Sequence, residues 1–473
     1  MFINVYYLLG NMEEWVRNVA NELKKSYGPI EVKRNGNNYY AYRVSSVYDP
    51  EKKRARKVSG EYLGKITRNG LEPKKKAVLR SVFEYGNARL LWELMQDIIQ
   101  GLRKYFPDSW KEIVALSIIR ALRPTPLKYA ESAWEKLYLS EELDANLSPN
   151  TAAQKLRDIG SDWTSQRGFF SSLIKKNSVI FLDLSSIFSE SVNLRLAEKG
   201  YNKDHLNLKQ VNFALLFTDG PVMLKTMPGS VRDVKYFSSV LDEFNLKSCT
   251  IVTDRGFLSM DNIKKMKEMG IGFVQPLRRN SKLVDYSLPM NGKFVYHHRG
   301  IRWGKKEVDE GIYLYLFEDV KLKGEEHSNL IEMAVNGIEV EIDENVLGKI
   351  PVLSSMNVDG KKVYLLYKQR EGVEQAFDAM KDELEDDKSY LSDDYALRGY
   401  FFISFVSLYL YYAALNLLRK KGLVGDVSVN ELLFELSRVF MVKYSDGSTR
   451  LSEIPKKVEQ LVQKLEIDIL PKN

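Results

Sequence analysis

The amino-acid sequence predicts an α/β fold built on a mixed sheet, and three observations lead to that prediction. After residue 178 the chain contains five short apolar, β-branched runs, which are VIFLDLSS, VNFALLFTDG, VMLKTMPG, TIVTDRG and IGFVQP. Helical patterns at 234–244 and 260–269 precede the fourth and fifth runs, and an order of three strands, helix, strand, helix, strand is typical of an α/β layout. The chain has 473 residues, 44% of them hydrophobic, enough for two to four domains with buried cores.

The N-terminal residues 1–76 are predicted to form a small α/β module. Trp15, Val16, Val19 and Leu23 have helical spacing, and strand-like runs at 39–48 and 58–66 follow the turn signal at Asn35-Gly36. The opening MFINVYYLLG has no basic region and no cleavage site, so it does not have the pattern of a signal peptide.

Residues 77–175 are predicted to form a helical domain. Within it, LSPNTAAQKLRDIG begins at Leu147 with a helix start signal at Ser148-Pro149 and follows another amphipathic helix. This order is compatible with a helix-turn-helix that contacts DNA. Plain helix packing in an all-helical region is the alternative.

The rest of the chain divides into a core and its additions. The five runs make up the first part of the core, residues 176–276, and turn-rich strand patterns predict a β-rich insertion at 277–366. Helical patterns then predict a second part of the core, 367–425, and a helical C-terminal tail, 426–473. The uncharged stretch 401–418 is long enough for a membrane span, but three of its tyrosines would lie near the centre of a bilayer, so we expect a buried core helix and no membrane partner.

The charge is concentrated in one place. The chain carries a net +7, yet residues 51–80 contain eleven basic and three acidic residues, so the remainder of the chain is almost neutral. A dense basic block attracts nucleic acid through release of counterions, and we expect Lys52, Lys53, Arg54, Arg56 and Lys57 to bind DNA. A solvated lysine-rich loop is the alternative.

Cysteine usage excludes other classes of protein. Cys249 is the single cysteine in the sequence, which rules out disulfide-built domains and multi-thiolate zinc or iron-sulfur sites. We therefore expect a protein of the reducing cytoplasm.

Two apolar runs end in aspartate, at Asp183 and Asp254. A carboxylate on an otherwise apolar strand is costly unless it is paired, hydrogen-bonded or bound to a metal ion. Taken singly, each could also be an ordinary turn or cap residue.

A helix farther along the chain adds a third acid. In YKQREGVEQAFDAMK, an ideal α-helix places four polar residues on one arc about 60° wide; they are Tyr367, Arg370, Glu374 and Lys381. An ordinary solvated helix face is the alternative. Three carboxylates that meet at one point suit two divalent cations of the Mg²⁺ type, with Arg370 and Lys381 holding a DNA backbone.

These residues resemble a known family. The spacing Y-x2-R-x3-E-x6-K is the signature of DDE transposases of the insertion-sequence-four type, and it is complete here from Tyr367 to Lys381. The stretches DLSSIFSES at Asp183, GYNKDHLNLKQVNFALLF at Gly200 and TDRGFLSMDNIKKMKEMGIGFVQPLR around Asp254 resemble the family's other blocks. The resemblance covers roughly residues 113–418.

The resemblance implies an RNase H-like core, a mixed five-stranded sheet with helices, interrupted by the β-rich insertion. It implies that Asp183, Asp254 and Glu374 are catalytic and bind two Mg²⁺ ions, for which Mn²⁺ can substitute. It implies double-stranded DNA as partner, with terminal inverted repeats cleaved through a hairpin intermediate and joined to target DNA. Bringing two ends together implies a homodimer in a synaptic complex associated with the nucleoid.

Other residues and other functions remain open at this stage. Trp303, among basic residues in the insertion, could stack on a flipped base, or could simply be a core or surface residue. The role of Asp204 and His205 is not defined by the sequence. A metal-dependent nuclease without strand transfer, and a catalytically inactive DNA-binding protein descended from a transposase, are the alternative functions.

Overall fold

The computed structural model of the protein describes most of the chain. The described residues are 12–49, 54–73, 78–189, 191, 193–200, 208–231, 233–257, 259–338, 343–383, 391 and 393–470. The chain divides into two compact units. The N-terminal unit comprises 1–81 with 443–449, and the main unit comprises 82–442 with 450–473.

The N-terminal unit is a helix packed on a four-stranded antiparallel sheet of order β1-β2-β3-β4. Its elements are α1 (Glu14–Tyr27), β1 (Ile30–Asn35), β2 (Asn38–Asp49), β3 (Arg54–Thr67) and β4 (Gly70–Pro73). Period-two alternation along the strands turns Tyr39, Ala41 and Ile66 toward Val16 and Leu23 of α1, where they form a small core. The opposite face of the sheet carries polar and aromatic side chains.

The main unit begins with helices that pack on each other. They are α2 (Gly86–Tyr105), α3 (Trp110–Leu122), α4 (Ala130–Glu135), α5 (Leu139–Glu142), α6 (Pro149–Ser161) and α7 (Trp163–Leu173). A strand, β5 (Leu79–Glu84), precedes them, so the region predicted as purely helical also contains a strand.

A large mixed sheet forms the centre of the main unit. Its strands before the predicted insertion are β6 (Val179–Phe188), β7 (Glu198–Lys199), β8 (Lys209–Phe217), β9 (Pro221–Pro228), β10 (Thr250–Val252) and β11 (Gly272–Pro276). Two helices lie between the last of these strands, α8 (Asp233–Glu243) and α9 (Met260–Glu268). Strand β10 is parallel to β6 and β11, whereas β8 is antiparallel to β6, so the prediction of a mixed α/β sheet is confirmed.

The sheet is larger than the five strands predicted. The segment 277–366 adds β12 (Gly292–Tyr296), β13 (Arg299–Asp309), β14 (Ile312–Asp319) and β15 (Lys349–Ser354). Buried β15 pairs with β11 on one side and β14 on the other. In the described residues one ten-stranded sheet results, in the order β12-β13-β14-β15-β11-β10-β6-β8-β7, with β9 on β8. The segment therefore extends the core sheet.

Helices were missed in and after that segment. The 16-residue helix α10 (Val320–Val335) buries none of its residues, so its sequence has no apolar stripe by which to recognise it. Helix α11 (Gly360–Gln369) begins seven residues before the predicted boundary at 367, and α12 (Glu371–Asp378) and a π-helical turn (Ala379–Glu383) follow it.

The C-terminal part contains one long core helix, α13 (Asp394–Lys420). It is long and apolar enough to cross a membrane by length and composition, and 67% of its most apolar window is buried inside the protein, which is typical of a core helix. An added Cβ at Gly160 of α6 would lie 1.8 Å from the carbonyl oxygen of Tyr395, and one at Gly399 would lie 1.9 Å from that of Leu156. Only glycine allows α6 and α13 to approach this closely.

The segment 426–473, predicted as a helical tail, is mixed. It contains α14 (Val429–Leu436), β16 (Phe440–Tyr444), β17 (Thr449–Leu451) and α15 (Lys456–Leu465). The strands form a small sheet in the order β17-β16-β5. Their pairing with a strand distant in sequence could not be read from the local pattern.

Candidate active site

The parallel pairing of β6 and β10 brings the two aspartates to the same end of the central sheet. Phe181 of β6 is in register with Val252 of β10, and Asp183 and Asp254 each follow this pair by two residues. Asp183 lies within β6, is 6% exposed, and accepts a 2.8 Å hydrogen bond at Oδ1 from the backbone N–H of Leu184. Asp254 is half-buried and begins the turn after β10.

Helix α12 carries the third acid to this edge. Its apolar face, with Val373, Ala376 and Phe377, is buried, and the ring of Phe377 packs edge-to-face on Phe213 of β8 at 5.5 Å. Glu374 then lies in the first turn of the helix, half-buried beside the sheet.

Arg370 joins the acids. Its Nη2 lies 2.8 Å from Oε1 of Glu374, and its Nη1 lies 3.6 Å from Oδ2 of Asp183. Burial alone lowers the pKa of the guanidinium, but Asp254, Glu374 and Asp183 raise it, and the net pKa is above its ordinary value. Arg370 is therefore a fixed positive charge shared by three carboxylates.

Tyr367 completes the cluster from the last turn of α11. Burial raises the pKa of its phenol, while Arg370 and Arg255 lower it and the nearby acids raise it further, so the net pKa is above the ordinary value. The hydroxyl is protonated at neutral pH and can donate a hydrogen bond. Arg255 was not among the site residues predicted from the sequence, although its position directly after Asp254 indicated that it would lie near the site.

The helix is not the continuous α-helix that was predicted. At Arg370 the backbone makes i→i+3 bonds, from Arg370 N–H to Tyr367 and from Val373 N–H to Arg370, and the turn from Ala379 to Glu383 is π-helical. A π turn has a different number of residues per turn, so the predicted 60° arc is wrong where it reaches Lys381. Arg370 and Glu374, four residues apart, still face each other.

The predicted basic residues lie in the N-terminal unit. Arg54, Arg56 and Lys57 are exposed on β3, and Nζ of Lys57 lies 3.4 Å from Oε1 of Glu31. Lys52 and Lys53 lie outside the described residues, as do Asp204 and His205. DNA binding by the basic block stays a prediction.

Trp303 lies half-buried in β13. Its ring rests against two glycines, since an added Cβ at Gly292 or Gly360 would come within 2.3 Å of indole atoms, and it packs near Tyr315 at 6.2 Å between centroids. The ring area covered by these glycines is not open to a nucleobase. Stacking of a base by Trp303 stays a prediction.

The donors at the site fit a divalent cation in their chemistry. Asp183 and Glu374 lie beside Arg370, and Asp254 interacts with it electrostatically. Carboxylate oxygens are the ligands that Mg²⁺ prefers. In the part of the chain that the structure describes, no group of three or more acidic, histidine or cysteine residues is arranged around a metal position. The guanidinium of Arg370 is the cation that the acids share here.

Comparison with known proteins gives the class of the central region. Residues 176–410 match the model of the transposase DDE domain family, which supports assignment of the protein to the DDE-type transposases. DDE transposases generally use divalent metal ions such as Mg²⁺.

The remaining comparisons add little. A solved structure titled as a cryo-EM structure of the piggyBac transposase synaptic complex with hairpin DNA has a TM-score of 0.41 and 11% identity, over 74% of this chain and 78% of that one. At this TM-score and identity, we draw no conclusion from the similarity. No curated protein matches the chain.

Proposed function

We propose that the protein is a DNA transposase of the insertion-sequence-four type, with an RNase H-like core. It would bind the terminal inverted repeats of an insertion sequence, cleave the ends through a hairpin intermediate, and join the 3′-hydroxyl ends to target DNA. One observation supports the proposal: within the matched segment 176–410, Arg370 pairs with Asp183 and Glu374 from two separate elements, and Asp254 of a third element interacts with it electrostatically.

The three acids would hold the metal ions. When bound, two Mg²⁺ or Mn²⁺ ions supply activation of a water or a 3′-hydroxyl and stabilisation of the leaving oxygen during displacement at phosphorus. Asp183, on the central sheet, would supply one rigidly held ligand, and Glu374, on a short helix, would supply a second.

The neighbouring residues would position the reactants. Arg370 keeps the acids together against their mutual repulsion and can orient a phosphate through its planar fork. The protonated phenol of Tyr367 can donate to a phosphate oxygen. Lys381 and Trp303 are proposed as further DNA contacts.

Binding of double-stranded DNA is assigned to the N-terminal unit. Its described basic residues Arg54, Arg56 and Lys57 are exposed, whereas the acids of the main unit are not suited to bind a polyanion without cations. We propose a homodimer as the synaptic complex, acting on the nucleoid in the cytoplasm, because two ends must be brought together.

The test is a transposition assay with purified protein, Mg²⁺, a donor plasmid that carries the repeats flanking the gene, and a target plasmid. Excised element joined to the target is the expected product. Free ends without joined target would instead identify a metal-dependent nuclease. Binding without Mg²⁺- or Mn²⁺-dependent cleavage would identify an inactive, transposase-derived DNA-binding protein.

A further inference from the structure

Half of the β2–β3 pair extends beyond the sheet of the N-terminal unit. Pairing of β1 with β2 ends at Arg43, and β4 pairs with β3 from Gly64 onward. The segments 45–49 and 54–58 pair with each other and, among the described strands, with no other. We call this two-stranded segment the ribbon. Its five residue pairs span about 15 Å.

The two faces of the ribbon differ. Directly paired residues and alternate residues of a strand share a face, so Arg54, Arg56 and Val47 lie on one side, while Lys57 opposite Ser46 lies on the other. Lys57 is held toward the sheet by its ion pair with Glu31. The first side therefore presents two exposed guanidinium groups.

Apolar side chains accompany these charges at the surface. Val47, on the side of the two arginines, is 55% exposed, and Tyr48, on the side of Lys57, is 62% exposed. Exposed apolar residues between cations gain little in water, and they fit a ligand that offers both anionic groups and apolar patches. Duplex DNA has both, as phosphates and as thymine methyl groups.

The dimensions of the ribbon match a DNA groove. The major groove of B-form DNA is about 12 Å wide and admits a two-stranded β-ribbon. Alternate residues of a strand, such as Arg54 and Arg56, are about 7 Å apart, which is close to two steps of about 3.4 Å along a DNA strand.

We propose that the ribbon enters the major groove of B-form duplex DNA. The side with Arg54, Arg56 and Val47 faces the base edges, and Lys57 lies toward the phosphate rim. This inference rests on the proposed function and deepens it, since it identifies the element and the groove by which the protein holds its DNA. Protection of strand edges by charge is the competing explanation for the arginines.

The experiment measures binding of the full-length protein to a short mixed-sequence duplex by fluorescence anisotropy. The same duplex is prepared with glucosylated hydroxymethylcytosine, whose sugars fill the major groove. The variant Arg54→Gln/Arg56→Gln is compared with Lys24→Gln/Lys25→Gln, which removes the same charge from exposed positions of α1 in the same unit.

The arginine variant should bind unmodified duplex about tenfold or more weakly, and the control should bind as the wild type does. Glucosylation should weaken the wild type by a similar factor and the arginine variant much less. Equal binding by the arginine variant and the wild type, or wild-type binding that glucosylation leaves unchanged, would overturn the proposal. So would an equally tight, equally arginine-dependent complex with duplex RNA, whose major groove is too narrow for a ribbon.

The readout separates this inference from the proposed function. Arginine-dependent, glucosylation-sensitive binding without any transposition would sustain the ribbon and reject the transposase. Transposition by the wild type, together with normal DNA binding by the arginine variant, would support the transposase and reject the ribbon as the DNA-binding element.

Discussion

The ribbon of the N-terminal unit and the acid cluster of the main unit place charge in opposite environments. Arg54 and Arg56 are exposed on β3. Asp183 is 6% exposed and shares the fixed cation Arg370 with two other carboxylates. Exposed charge costs little and is suited to binding, whereas buried charge must be compensated where it stands. Counting basic residues along the sequence is therefore enough to find the exposed charges. The buried acids are recognised only from where they lie on the strands and the helix.

Among substitutions that test this contrast, we expect the largest effect on stability and activity at Arg370. Arg370→Ala leaves Asp183 buried beside two carboxylates without their cation, and losing one partner of such a buried cluster costs about 3 kcal/mol. We expect a lower free energy of unfolding, measured in urea, and no strand cleavage. Arg370→Lys is the matched control, because it restores the charge without the planar fork.

Repeating the unfolding measurement of Arg370→Ala with Mg²⁺ tests whether the acids bind a metal ion. Because the carboxylates can then share a divalent cation, Mg²⁺ should raise the stability of the variant more than that of the wild type. An unfolding midpoint that is independent of Mg²⁺ in both proteins would argue against metal binding by these acids.

A smaller effect is expected on DNA affinity. Neutralising the basic block, Lys52, Lys53, Arg54, Arg56 and Lys57, to glutamine should weaken duplex binding and reduce the steepness of the slope of log K against log salt by up to about 4.5. Anisotropy titrations over a salt series measure both quantities. An unchanged slope would remove the block from the DNA interface and end the contrast drawn above.

The smallest effect is expected at a half-buried acid in the main unit, Asp285. Hydrogen bonds from Lys306 and from Ser287 lower the pKa of Asp285 from 3.8 to about 2. A lowered carboxyl pKa stabilises the fold above the ordinary value, and this contribution is lost as pH falls toward 2. The stability difference between wild type and Asp285→Asn should therefore be small at neutral pH, shrink as pH falls from about 4 through 2, and vanish below pH 2. A difference that persists at that pH would contradict the assignment.

Much of the central fold could be predicted, because its buried strands are continuous apolar runs. The register that sets Asp183 beside Asp254 follows from two such runs in parallel. The exposed helix α10 has no buried stripe, so sequence periodicity could not find it. The joining of β15 to β11 depends on pairing between residues far apart in sequence, which local patterns do not contain.

The candidate site was predictable in its residues and less so in its geometry. The spacing from Tyr367 to Glu374 indicated a shared face, and Arg370 and Glu374 do meet. The i→i+3 bonds at Arg370 and the π turn after Asp378 were not predictable, because tertiary packing, and not local helix propensity, sets which hydrogen-bond pattern the backbone adopts there. Arg370, expected on DNA, lies among the acids in this structure.

Asp183, Asp254 and Glu374 are proposed to perform phosphodiester chemistry that is separable from DNA binding. Excision of a donor element by Glu374→Gln tests it most directly, with Asp378→Asn as the control, because Asp378 is an exposed acid one turn farther along the same helix. We expect Glu374→Gln to bind ends almost as the wild type does and to excise nothing, and Asp378→Asn to excise normally. Excision by Glu374→Gln would contradict this proposal.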